Sequence, residues 1–293
     1  MQKQMQPSCF LFIVERIKTV IQLWSSRLAS YLVATTFVIT LALCLSGAIA
    51  ASSIPAGWTC TGSCGSSGAD GVVPLSPAGN PAYEWISTNG GIPGVGGLAG
   101  VTGAGGRGSS TNGSTLKTIT FAAAANSLLN FDFNYTTTDG AFVSDYAWAE
   151  LFNSASAPIA QLATARTTPG GNTIPGSNMP VPVGTLNPSM VTIQPGLTMW
   201  SPLGSSSGAC FLGPTQGCGS TGWTSSSFTI GTAGSYFLLF GVTNWNDELF
   251  DSGLAIDGVT VNGQPISGAA PEPASLLLLG LGAVPLLLKR RRC

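Results

Sequence analysis

Residues 130–137 alternate without a break: Phe131, Phe133 and Tyr135 fall on one side, and Asn130, Asp132, Asn134 and Thr136 on the other. A period of two is the pleat of a β-strand, and aromatic residues confined to one side place that side against a core. Tyr236-Phe237-Leu238-Leu239-Phe240 is apolar on both sides and reads as a central strand. Further strands are predicted over 116–122, 145–152, 159–165, 223–230 and 254–261. Turn-forming stretches separate them, such as Thr138-Asp139-Gly140 and Gly231-Thr232-Ala233-Gly234. The body shows no strong helical periodicity. The pattern predicts an all-β fold, an antiparallel β-sandwich of jelly-roll-like type. Helices are expected only outside it, as an N-terminal signal helix and a short C-terminal transmembrane helix.

Charge divides the chain into unlike parts. Lys3, Arg16, Lys18 and Arg27 precede Ala51, and Lys289, Arg290, Arg291 and Arg292 close the chain. Between Ala51 and Ala270 three basic residues (Arg107, Lys117, Arg166) stand against ten acidic ones, a net of −7. An acidic body disfavours nucleic acid, whose phosphates need a basic surface. There is no histidine among the 293 residues. Triads and zinc centres that depend on imidazole are therefore excluded.

Both ends read as addresses. Residues 31–49 are almost wholly apolar, follow basic residues and run into Ala48-Ile49-Ala50, an A-x-A site that places signal cleavage after Ala50. At the other end the apolar run 274–288 would form a helix only about 22 Å long, short of a bilayer core of roughly 30 Å. Pro285 weakens it further. The chain divides accordingly into a signal peptide (1–50), a Gly/Ser-rich part (51–115) packing with a sandwich (116–268), and a tail (271–293).

The tail carries Pro271-Glu272-Pro273, then the Leu/Gly-rich span, then the terminal arginine cluster, in that order. It resembles the PEP-CTERM sorting signal of Gram-negative bacteria. The resemblance implies recognition and cutting by an exosortase after a transient stay in the inner membrane, and export linked to extracellular polysaccharide and biofilm matrix. The stretches 133–145, 165–173, 200–208 and 240–258 are also similar to a family of PEP-CTERM surface proteins of uncharacterised function. That second resemblance brings no catalytic residues.

Cys9, Cys44 and Cys293 fall in the two end segments, which leaves Cys60, Cys64, Cys210 and Cys218. An even number in an oxidising compartment reads as two disulfides, and local pairs, Cys60–Cys64 and Cys210–Cys218, are expected. Two motif matches fail on context. Gly94-Val95-Gly96-Gly97-Leu98-Ala99 has no helix after it to cradle phosphate, and Ser206 in Gly204-Ser205-Ser206-Ser207-Gly208 has no histidine to activate it.

Acids and aromatics supply the remaining candidates. Asp139, Asp145, Asn246, Asp247 and Asp251 offer hard oxygen ligands for a structural calcium ion; no other cofactor is expected. Trp245, between two asparagines and beside acids, is the candidate platform for stacking a sugar ring. The resulting expectation is an exported, non-enzymatic surface or matrix protein, structural or adhesive, associated with polysaccharide. The alternatives are a glycan-acting enzyme using Glu84, Glu150 or Glu248, and a passive spacer without a ligand.

Overall fold

The computed structural model describes residues 54–266 apart from 104–107, 142–143, 169 and 212. The signal residues Ala48 and Ala50, the sorting motif Pro271-Glu272-Pro273 and both expected end helices lie outside the described residues. Among the described residues no helix is long and apolar enough to cross a membrane.

The strands run in chain order as β1 (Thr59–Thr61), β2 (Ser63–Ser67), β3 (Tyr83–Ser87), β4 (Ile92–Pro93), β5 (Ser110–Lys117), β6 (Phe121–Ala123), β7 (Ser127–Thr137) and β8 (Tyr146–Asn153). They continue as β9 (Pro158–Arg166), β10 (Thr185–Asn187), β11 (Gln194–Pro195), β12 (Gly219–Ser220), β13 (Thr224–Ile230), β14 (Gly234–Trp245), β15 (Ser252–Val261) and β16 (Gln264–Pro265). Two antiparallel sheets result. The first has the order β1-β5-β14-β8-β9, with β4 and β6 at its margins; the second has the order β10-β13-β7-β15-β3-β2, with β11, β12 and β16 attached.

The alternation read in 130–137 is the packing of β7. Leu129, Phe131, Phe133 and Tyr135 point between the sheets and meet Leu238, Phe240 and Val242 of β14, Leu254 and Ile256 of β15, and Ala147, Ala149 and Leu151 of β8. Phe131 meets Phe240 edge to face at 5.4 Å, an arrangement the ring quadrupoles favour. The outer faces are covered too. Val73, Tyr83, Trp200, Leu203 and Ala255 form a second core outside the second sheet. Tyr146, Trp148, Met179 and Trp245 form a third outside the first.

Both expected disulfides form. Cys60–Cys64 joins Cα atoms 6.1 Å apart, and Cys210–Cys218 joins Cα atoms 5.6 Å apart. The first spans the corner at which the chain leaves the first sheet as β1 and enters the second as β2. Closing loops this short restricts the unfolded chain by about 2 kcal/mol per bridge.

Candidate functional site

The inward-facing series of several strands turns polar at one end of the sandwich. Ser252 continues Leu254 and Ile256, Thr137 continues Phe133 and Tyr135, and Asn244 continues Phe240 and Val242. All three are fully buried. Asp145 precedes Ala147 on the inner face of β8, and Asp139 follows Thr137. These two carboxylates are 1% and 3% exposed, so their charges have no access to bulk water.

Their contacts are specific. Asp145 accepts hydrogen bonds from the Trp245 amide at 2.9 Å and from the Ser252 hydroxyl at 2.6 Å. Its own carbonyl accepts the Tyr135 hydroxyl at 2.9 Å. Asp139 Oδ1 accepts the Gly140 amide at 2.7 Å, and the Asp139 amide donates to Thr137 Oγ1 at 3.0 Å. The two carboxyl groups lie within hydrogen-bonding reach of each other, and both feel the Asp247 charge. Burial raises both carboxyl pKa values, and the charge of Asp139 raises Asp145 further. Asp139 Oδ2 and Asn244 Oδ1 are buried with no hydrogen-bond partner among the described residues.

The five residues expected to ligate calcium thus separate. Asp139 and Asp145 come together in the interior, while Asn246 and Asp247 are exposed on the turn after β14. Asp251 is a clamp rather than a ligand. Its oxygens accept the hydroxyls of Thr88 at 3.1 Å and Ser206 at 2.8 Å, which fixes the 3-10 segment Ser201–Ser206 to the polar end. Ser206, the centre of the rejected nucleophile motif, serves this structural bond. Among the described residues no three Asp, Glu, His or Cys side chains converge as a metal-binding group. Ser252 escaped the sequence reading, and Asn244 entered it only as the first residue of the oxygen-rich stretch 244–248, not as an inward-facing group. Counting in twos from Tyr236 through Leu238, Phe240 and Val242 would have placed Asn244 inward.

Trp245 is not a surface platform. It is 5% exposed, packs on Tyr146 at 5.8 Å, and lies under the Arg166 guanidinium at 4.5 Å. The sequence neighbours Asn244 and Asn246 suggested exposure. The pleat instead turns the ring to the outer face of the first sheet, where the backbone at Gly108 passes so close that a Cβ there would overlap the indole. Arg166 is held there by donating to the carbonyls of Ser144 at 2.9 Å and Thr102 at 2.8 Å. Trp58 and Trp200 are buried as well, and their indole N–H groups donate to Ile266 O and to the Tyr83 hydroxyl. Trp223 donates to Pro74 O.

The acids weighed for glycan hydrolysis do not gather. Glu84 sits in β3 of the second sheet, Glu150 in β8 of the first, and Glu248 on the exposed turn after β14. Glu84 lines a small cleft of about 140 Å³ with Trp58, Asn80 and Asp257 at the pole opposite the buried aspartates. Asp257 is held by Ser76, by Asn80 at 2.7 Å and by the Gly258 amide at 2.6 Å. Burial, and then the Asp257 charge, push Glu84 up to about 7. A raised acid favours the protonated fold, so its contribution is complete below the unfolded carboxylate value of 4.5 and is lost as pH rises to about 7. Glu84→Gln is therefore expected to match the parent at pH 4 and to exceed it by about 2 kcal/mol at pH 8, read by urea unfolding at both pH values. Equal gains at the two pH values would show that this carboxyl is not perturbed.

A larger cleft of about 440 Å³ opens near the buried aspartates, lined by Thr168, Thr192, Ile193, Thr215, Gln216 and neighbouring glycines. No charged side chain lies among its described lining residues. The Cys210–Cys218 loop forms one wall and is tied to the Asp139 loop: the Ala141 amide donates to Gln216 O at 2.7 Å, and the Phe211 amide to Thr138 O at 2.9 Å.

No family model matches the chain, and no curated protein matches it. Among solved structures, the K1 cleaved adhesin domain of Lys-gingipain from Porphyromonas gingivalis W83 aligns at 14% identity, covering 70% of this chain and 92% of that one with a TM-score of 0.31. The K3 cleaved adhesin domain of Lys-gingipain from the same organism aligns at 13% identity over the same shares, with a TM-score of 0.28. Likeness at this level supports no argument about activity.

Proposed function

We infer that this is an exported surface or matrix protein whose sandwich is a structural or adhesive module, jelly-roll-like in type, in contact with polysaccharide. The observation that carries the reading is the pair of disulfides within the folded body. Such bridges persist in oxidising compartments, in agreement with a chain addressed for export by residues 1–50. The proposed route uses the end segments, the first as a signal helix and residues 271–293 as a short transmembrane helix released by an exosortase. The polysaccharide contact is assigned to the larger cleft. Threonine hydroxyls, a glutamine amide and backbone groups without charge suit a neutral ligand rich in hydroxyls.

The test has two readings. Mass spectrometry of the surface fraction is expected to find the chain starting at Ala51 and lacking Cys293; an intact tail would overturn the sorting route. Thr192→Trp, at an exposed position on the cleft, is expected to lower retention on the producing cell's own matrix polysaccharide at least tenfold with an unchanged melting temperature. Unaltered retention would remove the cleft from the function.

A further inference from the structure

We propose that Asp139 and Asp145 bind one divalent cation of the calcium class, with Asn244 Oδ1 as a third protein oxygen, inside the polar end of the sandwich. The proposal starts from chemistry that the protein's own hydrogen bonds leave incomplete. The two carboxylates, Asp139 3% and Asp145 1% exposed, face each other in the interior with Asp247 acting on both. Among the described residues, the Arg166 guanidinium is the cation beside them, and it donates to the carbonyls of Ser144 and Thr102 and stacks over Trp245. Among the described residues Asp139 Oδ2 has no hydrogen-bond partner, and neither has Asn244 Oδ1. Asn244 is bound through its amide nitrogen to Asn112 Oδ1 at 2.9 Å, which leaves the carbonyl oxygen free. It directly precedes the residue whose amide binds Asp145.

A proton shared by the carboxyls would satisfy Asp139 but would do nothing for the Asn244 carbonyl, which only accepts. A hard cation satisfies both orphan oxygens and neutralises the carboxylate pair. It also explains why three segments converge here: the segment after β7 brings Asp139, the residue just before β8 is Asp145 and the end of β14 brings Asn244. The site differs from the five residues expected from the sequence, because Asn246 is exposed and Asp251 is held by hydroxyls.

The experiment uses the mature body, disulfides intact, stripped with EDTA and dialysed, then titrated with calcium or magnesium chloride in a calorimeter and in thermal melts. One calcium per chain is expected, with Kd of roughly 10⁻⁴ to 10⁻³ M, the range of extracellular modules with few charged ligands. The melting temperature should rise by several degrees in excess calcium, with a smaller response to magnesium. Asp139→Asn is expected to weaken the calcium response at least tenfold, whereas Asp251→Asn should retain it. The wild-type protein decides the question even where a variant fails to fold. No heat and no melting shift at millimolar calcium would overturn the proposal and leave a shared proton as the account of the pair.

Discussion

Trp200→Ala is expected to cost about 4 kcal/mol and to lower the melting temperature by about 10 °C. Trp200 is 1% exposed and is the largest side chain of the core outside the second sheet. Its ring lies over Gly253 of β15, where any Cβ would overlap it, so sheet and indole are fitted to one another. Its N–H donates to the Tyr83 hydroxyl at 3.0 Å, and burial has already pushed that phenol up to about 12. Alanine would leave a cavity and strand the hydroxyl together. Trp200→Phe keeps most of the volume but not the donor, and about half the loss is expected. Thermal melts of the two variants measure this; a shift of only one or two degrees for alanine would mean that the 3-10 segment simply collapses onto the sheet.

Gly113→Ala should cost at least about 3 kcal/mol, enough to abolish accumulation of the folded protein. Gly113 lies in β5 opposite Thr243 of β14 and Ile92 of β4. A Cβ there would overlap the Val242 carbonyl and stand 2.7 Å from Val95 O and 2.8 Å from Thr243 Cα. These are backbone atoms on two sides, and no rotamer change can make room. Gly231→Ala is the control: nothing lies within 4 Å of its Cβ, and no positive φ is required of it. Yield of folded protein and urea midpoint should fall for the first and hold for the second. Parent-like behaviour of Gly113→Ala would show that β4 can detach without harm.

What the sequence revealed follows from how strongly each strand is constrained on its two sides. β7, β14 and β15 are central, so their inward residues had to be apolar and their spacing was legible. β2 (Ser63–Ser67) and the first half of β5 were not foreseen. The first, an edge strand of Ser, Cys and Gly, has almost no apolar side to display, and Gly113 in the second has no side chain because the chain passes over it. The local disulfide pairs were legible from loop composition. The burial of Trp245 was not, because the cover comes from Arg166 and Gly108, both far away in sequence. The polar end was half legible. Asp139 and Asp145 stood out as acids in a basic-poor body, but Asp251 owes its fate to hydroxyls at Thr88 and Ser206 that only the fold brings near.

Trp58 donates its indole N–H to the carbonyl of Ile266 at 2.9 Å, which fastens the first and last described stretches of the body side by side. They meet beside the C-terminal end of β15, whereas Ser252, at the N-terminal end of the same strand, touches Asp145. Ile266 bonds Val259, so the strand from Ser252 to Val259 separates the two by about 20 Å. The first and last described residues therefore leave the sandwich at the same end. The buried aspartate pair and the neutral cleft lie toward the other end of the sandwich.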